Sequence, residues 1–305
     1  MQYALSVCID LYVHYVILFY KQYYKITFKR VTELRKTIIE PNGKNMQYWK
    51  DIWNYRELAY NFAKRDITVR YKQTRIGLGW AVIAPLVNMF VMTFIFGNLA
   101  NLESDGSAPY YIMVYAGNIP WALFAKSLTS AANTFISNAG IMKKVYYPRI
   151  LSPLGTVIAA MVDSLVSMGV MFILMLASGY FPSVKILLFP VFMVLSLLLG
   201  TFVGLVLSAF NVKWRDLAQI IPFMIQIGQY ASPVAYSMSS IPEKYLLLYS
   251  MNPVAGIITA FKWCVIKDMT FNWFPFIISI IWIIVLIPLG IYAFRKTERT
   301  FVDIV

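Results

Sequence analysis

Apolar residues gather in six long runs along this chain, at about 78–99, 110–136, 151–178, 186–210, 218–236 and 273–294. Each meets or approaches the ~20 residues that an α-helix needs to cross a bilayer core. The pattern predicts an all-α polytopic membrane protein with six transmembrane helices. Two further stretches have a different pattern. From Lys50 to Arg65, the residues Ile52, Tyr55, Leu58, Ala59, Phe62 and Ala63 share one helical face, and Trp53, Glu57, Asn61 and Lys64 share the other. Trp49, Trp53, Tyr55 and Tyr60 suit the headgroup layer, so this stretch reads as an amphipathic helix on the cytoplasmic membrane surface, with an ordinary soluble amphipathic helix as the alternative. The segment 236–272 is apolar but is cut by Pro242 and Pro253, and its longest clean piece, Val254 to Ile266, is too short to cross. It reads as a pair of re-entrant external helices between spans 5 and 6, which must be buried against protein or a cavity. A lid and loose interfacial packing are the two roles open to it.

Charge orients the spans. Lys and Arg crowd the connections 21–75, 138–150 and 211–217 and the tail after Phe294, whereas 100–109 has no basic residue and carries Glu103 and Asp105. Six alternating spans put all the crowded connections on one side, so the positive-inside rule places both termini in the cytoplasm. The chain divides into an N-terminal extension (1–45), a cytoplasmic interfacial segment (46–76), a membrane domain (77–294) and a cytoplasmic tail (295–305). Within the extension, Ala4 to Tyr20 is apolar but short and contains Asp10 and His14. With no basic region before it and no small-residue cleavage site after it, a signal peptide is not expected. An interfacial helix, an extra span and an extension without a role all remain open.

Composition sharpens the class. The 305 residues are 59% hydrophobic and 13% charged, with a net charge of +13. Because the basic residues flank apolar runs, their expected partner is anionic membrane lipid and not nucleic acid. Cys8 and Cys264 lack metal spacing, and the single histidine, His14, excludes a His-rich metal site. No Gly-x-x-x-x-Gly-Lys-Ser/Thr phosphate loop occurs, and no Ser/His/Asp set can be assembled. The chain reads as a non-enzyme.

Several residues carry candidate chemistry. Lys126 and Asp163 are ionisable groups inside consecutive spans, each ~18 Å from the 138–150 connection at 1.5 Å per residue, so a salt bridge between them is possible. Otherwise Lys126 lines a wet path and Asp163 bonds to backbone. Phe90, Phe94, Trp121, Phe124, Phe223 and Tyr230 lie mid-span, away from the interfacial belt. They are either core and lipid-facing residues or a path on which sugar rings stack, with Asn88 and Gln226 as polar partners. Ser196, Gly200, Gly204 and Ser208 recur every four residues, as do Gly155, Ala159, Asp163 and Ser167, and such ridges let helices approach closely. Gly77 and Gly79 are either a joint between the surface helix and span 1, with Pro85 relieving the helix above it, or simple packing glycines.

A family resemblance joins these signals. Tyr55-Arg56-Glu57-Leu58 and Arg65-Asp66-Ile67-Thr68-Val69-Arg70-Tyr71-Lys72-Gln73-Thr74 through Gly79-Trp80 resemble the entrance segment of ABC-2-type permeases, in the polysaccharide export branch that includes O-antigen and teichoic-acid permeases. Lys144-Val145-Tyr146-Tyr147-Pro148-Arg149 is similar to that branch's first cytoplasmic loop, and Trp214-Arg215-Asp216-Leu217 to its second. Ser232-Pro233-Val234, Ile241-Pro242-Glu243-Lys244 and Tyr249-Ser250-Met251-Asn252-Pro253 resemble its external segment. The matches run in order from about residue 40 to 294 and leave the first 40 residues uncovered.

The resemblance implies a permease homodimer with two copies of a separate ATPase subunit, which binds ATP and Mg, leaving no cofactor in this chain. It implies a lipid-linked polysaccharide as substrate, exported across a bacterial cytoplasmic (inner) membrane. Lys143, Lys144, Tyr147, Pro148 and Arg149 would couple to the ATPase, and Pro233, Pro242 and Pro253 would shape an external gate. Arg70, Lys72 and Arg75 would receive the substrate's phosphate, or anchor the chain to anionic lipid. A drug or small-lipid ABC-2 permease and a non-ABC membrane component of glycan assembly are the alternatives.

Overall fold

A computed structural model describes residues 45–72, 77, 79–142, 147–214 and 216–304, without the side chains of 45–49, 70, 72 and 299–304. Contacts divide the chain between Tyr48 and Trp49, and the unit from Trp49 onward carries all the packing described below. Among the described residues the regular structure is helical throughout, without strands. The principal helices are α1 (Asn45–Asn54), α2 (Arg56–Lys72), α3 (Gly79–Met92), α4 (Tyr110–Ala132), α5 (Thr134–Ser137), α6 (Ala139–Met142), α7 (Leu151–Ala177), α8 (Phe189–Asn211), α9 (Leu217–Tyr230), α10 (Glu243–Ser250), α11 (Ala255–Val265) and α12 (Trp273–Ile304). α3 continues as a π-helical stretch, Thr93–Leu99.

Among the described residues, four helical stretches are long and apolar enough to cross a membrane: Gly79–Leu99, Leu151–Ala177, Val184–Asn211 and Trp273–Glu298. The other two expected spans differ for local reasons. α4 has 23 residues, but Asn118, Lys126, Ser127, Thr129 and Ser130 dilute its apolar character. α9 has 14 residues, or ~21 Å at 1.5 Å per residue. The apolar run continues to 236, but the helix ends before Ser232-Pro233, because proline disfavours the helical conformation in the residue preceding it.

The centre of the fold is the contact between α4 and α8. The Ser196–Gly200–Gly204 ridge lies along α4 in parallel register. Ser196 Oγ donates to the Pro120 carbonyl. A Cβ on Gly200 would stand 2.4 Å from the Phe124 carbonyl oxygen, and one on Gly204 would stand 2.5 Å from that of Leu128. At the far end, Asn211 Nδ2 donates to the Ala132 carbonyl at 3.1 Å and to Asn133 Oδ1 at 2.9 Å. α12 runs alongside α8 in the same direction, with Phe276 against Phe192 and Gly290 against Phe202. α3, α7 and α9 run the opposite way. Gly97 meets Tyr110 and Gly228 meets Trp121, while Lys126 meets Asp163.

The amphipathic stretch forms two helices. Tyr55 N–H closes α1 on the Asp51 carbonyl, and Leu58 N–H then opens α2 on the Tyr55 carbonyl. The apolar face is as the periodicity predicts: Ala59, Phe62 and Ala63 are buried, and Trp53, Glu57, Asn61 and Lys64 are exposed. That face packs on protein. Gly155 of α7 sits against Phe62 and Ala59, with no room for a side chain of its own. α2 therefore climbs along α7. The chain then turns at Gly77, whose φ of +56° falls in the region that glycine adopts without strain, and α3 begins at Gly79.

The α4–α8 contact gives a direct prediction. Gly200→Ala forces a methyl into the Phe124 backbone and should destabilise the fold by about 1–3 kcal/mol. Gly169→Ala, which meets open space within 4 Å, should be neutral. Thermal unfolding of the detergent-purified variants separates the two outcomes.

Candidate functional site

Three polar clusters, one exposed face and one loop base stand out. The first cluster is centred on Asp163 of α7. Its carboxylate is 3% exposed, and Lys126 Nζ lies 3.1 Å from Oδ2, with the lysine side chain 44% exposed. Tyr71, in the last turn of α2, donates its hydroxyl to Oδ1. One buried carboxylate thus ties α2, α4 and α7 together. The spacing of Lys126 and Asp163 was legible in the sequence. The tyrosine was not, because nothing in the Arg70-Tyr71-Lys72 run shows that α2 reaches so far along α7.

The second cluster joins three helices through amides. Gln229 Nε2 of α9 donates to Asn118 Oδ1 of α4 at 3.1 Å and to Asn88 Oδ1 of α3 at 3.3 Å. Asn88, expected as a polar partner for sugar, is thereby engaged with protein. Beside it, Trp80, Ile83, Ala84, Val87, Val91 and Tyr230 line a cleft of about 440 Å³ between α3 and the end of α9. The six mid-span aromatics divide into two groups. Phe90, Phe94, Phe223 and Tyr230 are exposed. Trp121 and Phe124 are buried in the core, with ring centroids 5.4 Å apart, and Trp121 rests against Gly228. In this chain those two rings are packing residues and line no surface.

The third cluster holds the segment between α9 and α12. After α9 the chain makes a non-helical turn through 231–236, whose carbonyls need donors. Tyr110 donates its hydroxyl to the Ala235 carbonyl, and the fully buried Lys262 donates to the Tyr236 carbonyl at 3.0 Å. Asn252 Nδ2 adds a bond to Ser232 Oγ at 3.0 Å. Pro233 is buried in this turn, Pro242 caps α10, and Pro253 precedes α11. Except for Trp263, α11 is buried along its whole length. α10, in contrast, exposes Tyr245, Leu247 and Leu248.

The loop following α4 is bound at its base. Tyr147 and Pro148 are buried, and the Pro148 carbonyl accepts from Leu151 N–H at 3.0 Å to begin α7. Tyr147 Oη is 3.0 Å from Ser152 Oγ. Burial raises the pKa of that phenol, so it stays protonated. Arg149 bonds to Glu298 of α12. The stretch expected to be a tail after 294 is therefore the last part of a continuous 32-residue helix, and that helix reaches the loop. Lys143, Lys144 and Arg75, together with the side chains of Arg70 and Lys72, lie outside the described residues.

The Asp163 cluster predicts an asymmetry. Lys126→Met takes one charged partner from a buried carboxylate, whereas Asp163→Asn leaves an oxygen acceptor for a lysine whose side chain is 44% exposed. The first should destabilise more than the second, by about 1–3 kcal/mol. Tyr71→Phe should add to the loss from Lys126→Met. Thermal unfolding of the two singles and the Lys126→Met/Tyr71→Phe double variant tests both statements.

The fold can be compared with known proteins. Residues 58–266 match the model of the ABC-2 type transporter family. An O-antigen export system permease protein RfbA of Klebsiella pneumoniae is 28% identical over 81% of this chain and 95% of its own length. One from Myxococcus xanthus is 25% identical over 70% of this chain and 82% of its own. The polysialic acid transport protein KpsM of Escherichia coli is 24% identical over 64% of this chain and 75% of its own. The matched stretch begins within α2 and ends just after α11, taking in the Asp163 cluster, the 138–150 loop and the segment from α9 to α11. The chain belongs to the ABC-2 type transporter family.

Proposed function

We propose that this chain is the permease subunit of an ABC exporter that carries a lipid-linked polysaccharide, O-antigen or a similar cell-surface glycan, outward across the bacterial cytoplasmic membrane. The observation that carries the reading is the match to the ABC-2 family from 58 to 266, joined to relatives named for O-antigen export along 81% of the chain. In this reading the six helices α3, α4, α7, α8, α9 and α12 cross the membrane with both termini in the cytoplasm. Two copies pair with each other and with two ATPase subunits, and the ATP and Mg belong to those subunits.

The chain's own residues then divide the work. α2 stands at the cytoplasmic foot, and Arg70, Lys72 and Arg75 follow one another where it turns into α3. Guanidinium and ammonium groups there offer charge-assisted hydrogen bonds to the phosphates of an arriving lipid carrier. The exposed rings Phe90, Phe94, Phe223 and Tyr230 supply apolar faces for the C–H side of passing sugars. Such contacts are weak one by one, so a polymer can slide without being held. The 138–150 loop carries the ATPase's motion to α4 and α7. The buried α11 and its neighbouring turn close the outer end.

Two outcomes are expected. Replacing Arg70, Lys72 and Arg75 together with Gln should lower glycan export well below the level set by membrane insertion, measured as surface glycan per membrane-inserted permease. Normal export by that triple variant would remove the phosphate role. Deleting the chain should trap lipid-linked glycan on the cytoplasmic face, and unchanged surface glycan would remove the whole reading.

A further inference from the structure

Two helices outside the 138–150 loop hold both of its ends. On the side where the chain enters the loop, Phe135 stacks on Phe294 of α12, with ring centroids 4.8 Å apart and planes 23° apart. Asn138 Oδ1 accepts from Arg65 Nη2 of α2 at 3.1 Å. On the side where the chain leaves, Arg149 N–H donates to Glu298 Oε1 of α12 at 3.1 Å, and Arg149 Nη1 donates to the Glu298 carbonyl. The Tyr147 ring lies 5.6 Å from that of Phe62 of α2. Phe294 and Glu298 are four residues apart, hence on one face of α12. Phe62 and Arg65 are three apart on α2. Each helix therefore touches both ends of the same loop. The aromatic residues in these contacts are buried: Phe294 and Phe135 almost completely, Tyr147 and Phe62 nearly so.

We propose that α2 and the end of α12 form a closed cradle at the base of the loop, and that Glu298 is its positioning residue. The inference rests on the reading of this chain as an exporter whose 138–150 loop meets the ATPase. A loop joined only to α4 and α7 would absorb a push by bending at its ends. One whose ends are fixed to two further helices moves as a body and delivers the push to all four. Glu298 does this through two bonds to a single residue. Its carboxylate receives the loop's backbone N–H, and its own backbone receives the Arg149 guanidinium. The cradle stays closed through the cycle, while the motion is taken up in the membrane.

The test uses the complete permease–ATPase complex in liposomes, supplied with lipid-linked glycan, with ATP hydrolysed and glycan translocated measured together. Glu298→Ala removes the acceptor for Arg149 N–H. It should leave the ATPase subunit copurifying and lower the glycan moved per ATP by about fivefold, the order of effect expected for one member of a coupling network. Glu298→Gln keeps an oxygen acceptor in place and should stay within about twofold of the starting protein. A wild-type yield per ATP from Glu298→Ala, or a glutamine variant no better than the alanine one, overturns the proposal. If the alanine variant does not accumulate, an Arg65→Cys/Asn138→Cys pair bridged by a short thiol cross-linker tests the same closed base. Export that continues with the bridge in place supports a base that stays closed, and arrested export overturns it. A starting complex that hydrolyses ATP but moves no glycan refutes the exporter reading itself, before any variant is compared.

Discussion

Helices surrounded by lipid gain little from apolar contact, since the tails are as apolar as the side chains. What joins them is close packing and hydrogen bonding, and close packing needs small residues. In this chain that constraint is met where α8 lies on α4. Gly200 and Gly204 bring one backbone against another at distances that leave no room for a methyl group, and Ser196 adds a hydrogen bond to the Pro120 carbonyl.

With α8 seated, α4 becomes the post to which the other elements are fixed. Its N-terminal half receives α11 and the 231–236 turn, its middle receives α9 and α3 through Gln229, Asn118 and Asn88, and its C-terminal half receives α7 through Lys126 and Asp163. Each attachment is a polar group that would be costly to leave unpaired in hydrocarbon. The consequence is specificity of place more than strength: a buried carboxylate or lysine fits in few arrangements, so the polar residues fix which helix lies where. α3 and α9 touch the post much less than α8 and α7 do, and they present Phe90, Phe94, Phe223 and Tyr230 outward. In the proposed exporter these are the surfaces that meet the second copy and the glycan, and the firmly held α4–α8 pair is the frame against which they move.

Much of this was legible in the residues. Runs of apolar residues specify membrane helices because unpaired backbone in lipid is forbidden, and that rule depends on no neighbour. A four-residue repeat of small side chains marks a packing face for the same local reason. Helical periodicity placed Ala59, Phe62 and Ala63 on the inner face of α2. The clustering of Lys and Arg, read with the family resemblance, gave orientation and class. Prolines at 233, 242 and 253 stand at helix ends, where the ring's missing N–H suits a break, although Pro85, Pro120, Pro222 and Pro288 lie inside helices.

Whatever depended on distance between remote parts of the chain was decided by the tertiary structure. Periodicity showed that α2 has an apolar face but could not show whether lipid or α7 covers it, since both are apolar. Mid-span aromatics look alike in sequence, yet Trp121 and Phe124 are buried while Phe90, Phe94, Phe223 and Tyr230 are not, because only the angle between neighbouring helices determines which rings are covered. Tyr71 joining Asp163 across 92 positions and Glu298 joining Arg149 across 149 have no local signal at all. The sequence by itself determined that helices form and which faces are small or apolar, since these follow from backbone chemistry residue by residue. The folded chain alone decided which of those faces meet, because a contact between distant residues is a property of the whole packing.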